Sequence, residues 1–158
     1  MIGQKLERQK FLYISEKSMK IKIKKIYPDA IIPQYQREGD AGLDLYSYED
    51  YELKSGQGKS FKTGVAIEVP KGFVMLIWDR SGLAFNHGLT CLAGVIDSNF
   101  RGEICVYLLN TSKENYKIEK GHRIAQFLIQ PVERVEFEET DELSDSERGE
   151  DWSGSSGY

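Results

Sequence analysis

Residues 94–103 read Gly-Val-Ile-Asp-Ser-Asn-Phe-Arg-Gly-Glu, and this stretch is the most informative part of the chain. Its apolar start ends in one carboxylate, Asp97, which is followed by small polar residues and the aromatic Phe100. A second apolar run covers residues 104–109, so the pattern predicts a β-hairpin with a polar turn. Such a turn places an acid and an aromatic side chain together on rigid strands, where sites are commonly built. The simpler interpretation of an isolated acid at a turn is a solvated surface group.

The rest of the chain repeats this alternation of short apolar runs and turns. The other segments that predict strands are residues 20–24, 30–33, 43–46, 64–70, 73–78, 123–131 and 132–137. Residues 73–78 are continuously apolar, which is typical of a strand buried on both faces. A short turn after Arg80 is the one place where the pattern favours a helix. Many short strands separated by turn residues predict an all-β sandwich or barrel.

The two ends differ from this strand pattern and divide the chain into three parts. We interpret residues 1–19 as a peripheral extension, residues 20–137 as the β domain and residues 138–158 as a tail. The tail is acidic and then rich in Gly and Ser, which is typical of a disordered, solubilising segment. It also carries Arg148 and the run Gly154-Ser155-Ser156-Gly157, whose polar groups suit phosphate oxygens. A second interpretation is therefore a flexible arm that closes over a polyphosphate.

Composition and charge narrow the classes of protein further. The chain has 158 residues, of which 40% are hydrophobic and 29% charged, and this fits one globular domain. Its net charge of −4 is not typical of a nucleic-acid-binding protein. We find no run of the length of a membrane span and no signal peptide, so we expect a soluble cytoplasmic protein without a membrane partner. The two cysteines, Cys91 and Cys105, do not form a metal-binding motif.

Three further short motifs place polar or charged residues beside apolar ones. Arg80 and Ser81 follow the apolar run 73–78, where a guanidinium, a hydroxyl and the N–H groups of a helical turn can hold an anion. Gln126 is a polar residue in an otherwise apolar strand. Asp44 is one acid framed by apolar residues, and its simpler interpretation is a buried structural acid paired with an arginine. Together these motifs indicate an enzyme that handles phosphate.

Five motifs, in this order, resemble those of the trimeric dUTP pyrophosphatases (dUTPases). They are Ala41-Gly42-Leu43-Asp44-Leu45, Arg80-Ser81-Gly82-Leu83-Ala84, Gly94 to Gly102, Gly121 to Gln126, and Arg148-Gly149 with Gly154-Ser155-Ser156-Gly157. The resemblance covers residues 20–158. It implies a jelly-roll-like β barrel assembled as a homotrimer, with shared sites at the subunit interfaces. It also implies hydrolysis of dUTP to dUMP and pyrophosphate, which limits uracil in DNA and supplies dUMP for dTMP synthesis.

The resemblance implies roles for the residues around the nucleoside. Asp97 matches the catalytic acid that deprotonates the water attacking the α-phosphorus. Phe100 matches the aromatic residue, usually Tyr, on which deoxyribose rests and which leaves no room for a 2′-OH. The residues that match the segment binding uracil and deoxyribose are Cys91, Gly94, Val95 and Ile96. Trp152 stands near the position of the phenylalanine that covers uracil in the family.

The resemblance also implies how the triphosphate is held. The residues that match phosphate contacts are Arg80, Ser81, Gly82, Gln126, Arg148, Ser155 and Ser156. Asp44 matches the acid of the first motif, which supports a network of metal-bound water or an arginine. The implied cofactor is Mg²⁺, held mainly by the substrate phosphates and water, as the hydration preference of this ion allows.

Four positions depart from the usual family pattern. Asp79 stands where a proline usually precedes the arginine of the second motif, and His122 replaces an aspartate in the fourth. Phe100 lacks the hydroxyl of the usual tyrosine. Trp152 is shifted by one residue from the usual phenylalanine, and we expect its indole to stack on the uracil in its place.

Two alternative functions are compatible with the same fold. The first is that of a dCTP deaminase, whose catalytic glutamate would fall at the position of Tyr107. The second is that of a non-catalytic binding or regulatory module, which would need none of the groups at Asp97, Arg80 and Ser81.

Overall fold

Strands account for nearly all the regular structure in the computed structural model. This structure describes residues 19–147 and residue 149. The N-terminal extension before Met19 lies outside the described residues, as do Arg148, Trp152, Ser155 and Ser156 of the fifth motif. The strands are β1 (Lys22–Lys25), β2 (Leu43–Tyr46), β3 (Tyr51–Leu53), β4 (Gly58–Lys62), β5 (Val65–Glu68), β6 (Phe73–Trp78), β7 (Leu89–Leu92), β8 (Val95–Ile96), β9 (Cys105–Asn110), β10 (Tyr116–Ile118) and β11 (Arg123–Pro131), and the helix α1 spans Ser81–His87.

The strands form two larger antiparallel sheets that share one hydrophobic core. One sheet has the strand order β2-β11-β6-β8 and the other the order β4-β9-β7, while β1 pairs with β5 and β10 with β3. Alternate residues point into the core, such as Val106 and Leu108 of β9 and Met75 and Ile77 of β6. Because successive side chains of a strand point to opposite faces, the core receives one face of each sheet. The all-β prediction is confirmed.

The apolar run of β6 predicts burial on both faces, but the strand is buried on one face only. Met75 and Ile77 are buried in the core, whereas Val74 and Leu76 on the opposite face are only partly covered. The last residue of the strand, Trp78, is 55% exposed. The apolar outer face of β6 therefore has no complete cover within the described part of the chain.

The predicted hairpin around residues 94–103 is wrong in its pairing. The strand β8 pairs with β6, in the register Met75↔Ile96 and Leu76↔Val95. The strand β9 pairs instead with β4 and β7, in the other sheet. The cause lies at Ala93, whose φ of 56° turns the chain out of β7, and at Gly94, whose carbonyl accepts a 2.7 Å hydrogen bond from the Ile77 N–H. The stretch thus crosses between the sheets.

Other differences from the predicted strands have a common physical reason. The strands β3, β4, β7 and β10 were not predicted, because they are short and carry polar residues that mask their alternation. The predicted strand 30–33 is irregular, and the neighbouring Gln34 forms an isolated bridge to Asp44. Regular pairing ends with β11, so the alternating residues 132–137 form no strand, and Val135 and Phe137 are 70% and 96% exposed.

The helix α1 confirms the predicted turn after Arg80. Arg80 is extended at the N-cap, with φ −87° and ψ 122°, and Gly88 ends the helix in the left-handed region at φ 64°. Glycine suits this position because it has no Cβ to clash.

Among residues 19–147, no helix is long and apolar enough to span a bilayer.

We expect Gly94→Ala to destabilise the fold by about 1–3 kcal/mol, because the new Cβ would overlap the main-chain oxygen of Ile77. The free energy of unfolding in urea measures this effect. Gly82→Ala is the control, since a Cβ at this position in α1 meets no atom within 4 Å. Equal stability of the Gly94→Ala and wild-type proteins would contradict the close approach of Gly94 to the main-chain oxygen of Ile77 in β6.

Candidate functional site

The end of β6 and the start of α1 border a polar cavity of about 400 Å³. The chain leaves β6 at Trp78, passes through Asp79 and the extended Arg80, and enters α1 at Ser81. The cavity is lined by Gln36, Arg37, Asp40, Ala41, Gly42, Asp44, Arg80, Ser81, Gly82, Arg123 and Gln126. The structure therefore brings together the predicted residues of the first, second and fourth motifs.

The carboxylate of Asp44 organises the cationic side of this cavity. It is 7% exposed on β2, and its two oxygens bind Arg80 Nε at 3.0 Å and Arg123 Nη1 at 3.2 Å. Arg80 Nη1 also donates to the main-chain oxygen of Arg123, at 3.0 Å. The prediction that Asp44 pairs with an arginine is confirmed, and the partners are two. One carboxylate against two guanidiniums leaves a net positive charge beside the cavity, which favours an anionic ligand.

Gln126 is fixed on the same side of the cavity by the pairing of three strands. It lies opposite Asp44 of β2 and Trp78 of β6 in the central strand β11. Its Nε2 donates to the main-chain oxygen of Asp79 at 2.7 Å. Gly42 leaves room for the amide, since a Cβ there would lie 2.6 Å from Gln126 Oε1. Gln126 is therefore held against the residue that precedes Arg80.

Six lining residues were not predicted as site residues, and they are Gln36, Arg37, Asp40, Ala41, Gly42 and Arg123. Arg123 stood within the quoted fourth motif, so that motif was a signal for it. Arg37 is exposed in the loop before β2, where its N–H donates to Asp40 Oδ2 at 2.9 Å. Nothing in the spacing of that polar loop indicated a site.

A second cavity of about 620 Å³ adjoins the first, sharing Arg80 and Arg123 and adding Tyr46, Tyr116 and His122.

The predicted catalytic acid, Asp97, is exposed in the turn that follows β8. Its main-chain oxygen accepts from the Phe100 N–H at 3.1 Å, which closes the turn. Arg101 Nη1 donates to the carbonyls of Ser98 and Phe100, both at 2.7 Å. The ring of Phe100 lies over Gly102, where an added Cβ would come within 2.6 Å of it. The turn therefore presents an accessible acid beside a positioned aromatic ring.

The segment that is predicted to bind uracil links β7 to β8. Cys91 lies in β7, and its N–H donates to Asp79 Oδ1 at 2.5 Å, while Thr90 Oγ1 donates to Asp79 Oδ2 at 2.9 Å. Burial and then the neighbouring Asp79 charge raise the pKa of the Cys91 thiol to about 12. Val95 is 65% exposed and Ile96 partly buried. Since its N–H is engaged by Asp79, Cys91 does not present that donor to a ligand.

The predicted phosphate-binding residues and the predicted catalytic acid lie toward opposite ends of β6. The register of β8 on β6 places Asp97 beside Val74, whereas Gln126 lies beside Trp78. The four-residue step from Val74 to Trp78 spans roughly 13 Å at the usual rise of a strand. Arg80 then turns toward Asp44 on β2, two strands away from β6 on the side opposite β8. Within one chain, the cationic cavity around Arg80 and Arg123 therefore lies apart from the turn of Asp97 and Phe100. After their predicted roles, we name them the phosphate half-site and the nucleoside half-site.

The fold and the site together define an all-β protein whose cationic cavity suits an anionic ligand and which carries a separate, exposed acid. The sequence model of the dUTPase family matches residues 28–157. The chain belongs to the dUTPase family.

Curated relatives and solved structures agree with this assignment. The deoxyuridine 5'-triphosphate nucleotidohydrolase of Nautilia profundicola is 50% identical over 141 residues, which are 88% of this chain and 99% of the relative. The enzyme of the same name from Clostridioides difficile is 44% identical over 140 residues, 87% of this chain and 98% of the relative. A mutant dUTPase of Staphylococcus bacteriophage 80alpha with dUpNHpp is 30% identical, with a TM-score of 0.83 over 89% of this chain and 100% of that one. The expected dUTPase type of β fold is confirmed.

We expect Asp44→Asn to lower the free energy of unfolding by on the order of 1–3 kcal/mol, less than for a fully buried ion pair because Arg123 is partly exposed. The amide keeps the shape of the side chain but leaves two guanidiniums without their shared counter-charge. Urea unfolding measures the loss. Asp40→Asn is the matched control, because Asp40 lines the same cavity but is exposed. Equal effects of the two substitutions would contradict the organising role of Asp44.

Proposed function

We propose that this protein hydrolyses dUTP to dUMP and pyrophosphate, by attack of water on the α-phosphorus. The observation that carries the proposal is the pairing of buried Asp44 with Arg80 and Arg123 beside the first turn of α1. This arrangement supplies fixed cations, a hydroxyl at Ser81 and an amide at Gln126 to a triphosphate. Membership of the dUTPase family supports the same substrate. An intracellular, cytoplasmic location follows from that substrate.

Asp97 acts as the general base in this reaction. Among the described residues, no side chain donates a hydrogen bond to its carboxylate, so its oxygens are available to a water molecule. The carboxylate takes one proton as the water oxygen bonds to the α-phosphorus. The bond from this phosphorus to the oxygen bridging the α- and β-phosphates breaks, and the electron pair leaves with pyrophosphate. The cationic half-site of Arg80 and Arg123 stabilises the charge on that leaving group.

Phe100 and the main chain after β7 recognise the nucleoside. The Phe100 ring lies over Gly102 and is 41% exposed, so its free face can rest on deoxyribose and exclude a 2′-OH by its volume. The N–H of Cys91 and the carbonyl of Gly94 are already bonded to Asp79 and Ile77. Uracil is therefore recognised by the remaining main-chain groups between Cys91 and Ile96. Trp152, Arg148, Ser155 and Ser156 complete the site from the C-terminal arm.

Magnesium at this site would be held mainly by the substrate phosphates and water. The Asp44 carboxylate is committed to two arginines, and the described residues contain no cluster of three or more His, Cys, Asp or Glu side chains suited to a metal. The chemistry of these donors fits Mg²⁺ bound to triphosphate oxygens and water, where the ion would neutralise phosphate charge. A dUTPase mutant from phage phi11 of S. aureus is described with a structural Mg(II) ion, and at 24% identity its likeness concerns the fold alone.

The active sites are shared between the subunits of a homotrimer. The half-sites at the two ends of β6 are too far apart to serve one α-phosphorus, so a second chain brings its Asp97 to the cavity of the first. Exposed apolar residues support an interface: Trp78 and Val95 lie on the open side of the β6–β8 pair, and Val135 and Phe137 follow β11. Closed symmetry then repeats the same contact around a ring.

We expect Asp97→Asn to lower the turnover of dUTP by ~10²–10⁴-fold while the protein keeps its fold and its affinity for a non-hydrolysable dUTP analogue. The amide keeps the size of the carboxylate but accepts no proton. Release of pyrophosphate measures the turnover, and Asp141→Asn in the exposed tail is the control. Turnover within about threefold of wild type would rule out Asp97 as the base. Release of ammonia from dCTP would instead indicate the deaminase reaction.

We expect mixed trimers of Arg80→Ala and Asp97→Asn chains to regain activity that neither variant has alone. If each site takes Arg80 from one chain and Asp97 from its neighbour, random assembly restores about a quarter of the wild-type sites. Co-refolding the two variants in equal amounts and assaying pyrophosphate release tests this, with each variant refolded alone as the control. Activity no higher than the average of the two variants would contradict shared sites.

A further inference from the structure

The proposed reaction gives no role to the carboxylate of Asp79. This residue stands between Trp78, at the end of β6, and Arg80, and its sequence position suggested an acid facing phosphate. The structure directs its carboxylate elsewhere, toward β7. Oδ1 accepts from the Cys91 N–H and Oδ2 from the Thr90 hydroxyl. The carboxylate of Asp79 therefore accepts two hydrogen bonds from β7, the strand that leads into the nucleoside half-site.

The hydrogen bond from the Cys91 N–H to Asp79 satisfies a main-chain donor at the edge of a sheet. Among the strands that the structure describes, β7 lies at the edge of its sheet and pairs only with β9, in the register Thr90↔Leu109 and Cys91↔Leu108. Alternate N–H groups of an edge strand point away from the partner and need another acceptor. Asp79 supplies that acceptor at Cys91. Two residues later the chain reaches Ala93, where φ is 56°.

The same residue also reaches the phosphate half-site through its main chain. The Asp79 carbonyl accepts from Gln126 Nε2 at 2.7 Å, and Asp79 directly precedes Arg80. Asp79 thus joins the residues that hold phosphate to the segment between β7 and β8. A proline at this position would offer neither carboxylate oxygen.

We propose that Asp79 is a positioning residue for base recognition: its carboxylate holds the Thr90 hydroxyl and the Cys91 main chain, so that the following residues, up to Gly94, keep the geometry that accepts uracil and rejects thymine. This role rests on the proposed hydrolysis of dUTP. It assigns Asp79 no contact with the substrate. The raised pKa of the Cys91 thiol agrees with a negative charge held beside it.

The kinetic test compares Asp79→Ala, Asp79→Asn and Thr90→Val with wild type. An asparagine can accept from the Cys91 N–H with its oxygen and donate to the Thr90 hydroxyl with its amide, so it should restore the wild-type constants. Asp79→Ala should raise the KM for dUTP about tenfold and reduce the preference for dUTP over dTTP, with kcat within about threefold of wild type. Thr90→Val removes one of the two donors and should give a smaller change in the same direction. A loss on dUTP and dTTP in equal proportion, or no rescue by Asn, would overturn the proposal.

Hydrogen exchange of the Cys91 amide, followed by NMR, tests the contact without reference to activity. The amide should be protected in wild type and in Asp79→Asn, and should exchange at least tenfold faster in Asp79→Ala. Thr90→Val keeps the Cys91 acceptor and should retain protection, which controls for general loosening of β7. Unchanged exchange in Asp79→Ala would overturn the proposal. If wild type released no pyrophosphate from dUTP, the proposed function would fail, whereas the exchange data would still decide whether Asp79 holds β7.

Discussion

The buried carboxylate of Asp44 is the constraint on which the phosphate half-site depends. A charge removed from water is costly unless cations and hydrogen-bond donors surround it. Asp44 finds both in Arg80, which follows β6, and Arg123, which begins β11. The need to satisfy one acid on β2 therefore fixes the ends of three adjacent strands relative to one another. The surplus positive charge that results is what a triphosphate would bind.

Sheet pairing then separates this half-site from the one that holds Asp97. The strand β8 runs antiparallel to β6, so the turn after β8 lies at the start of β6, while Arg80 lies beyond its end. The same β6 strand links both half-sites within a chain and prevents them from meeting there. The proposed homotrimer, in which a neighbour supplies Asp97 to this cavity, agrees with this geometry. It also gives a use to the exposed apolar residues, such as Trp78 and Val95, along the outer side of the sheet.

Local patterns predicted the composition of the site better than its geometry. The motifs around Asp44, Arg80 and Gln126 were recognisable because phosphate binding demands particular side chains and glycines near them. The partner of β8 was not recognisable, because an apolar pair such as Val95-Ile96 can add to any sheet edge. Short polar strands such as β4 were missed because their pairing, rather than their composition, makes them strands. Arg37 was missed because only the folded loop brings it to the cavity.

The sequence by itself determined the all-β class, the membership of the dUTPase family and the side chains available for chemistry. These properties depend on residue types and their order, which tertiary contacts do not change. Only the tertiary structure decided that Asp44 holds two arginines, that the Asp79 carboxylate faces β7, and that Asp97, the predicted catalytic acid, lies apart from the cationic cavity. Each of these depends on strand register and on the burial of charge. Both depend on which strands pair, and the pairing strands here, such as β6 and β11, are distant in the sequence.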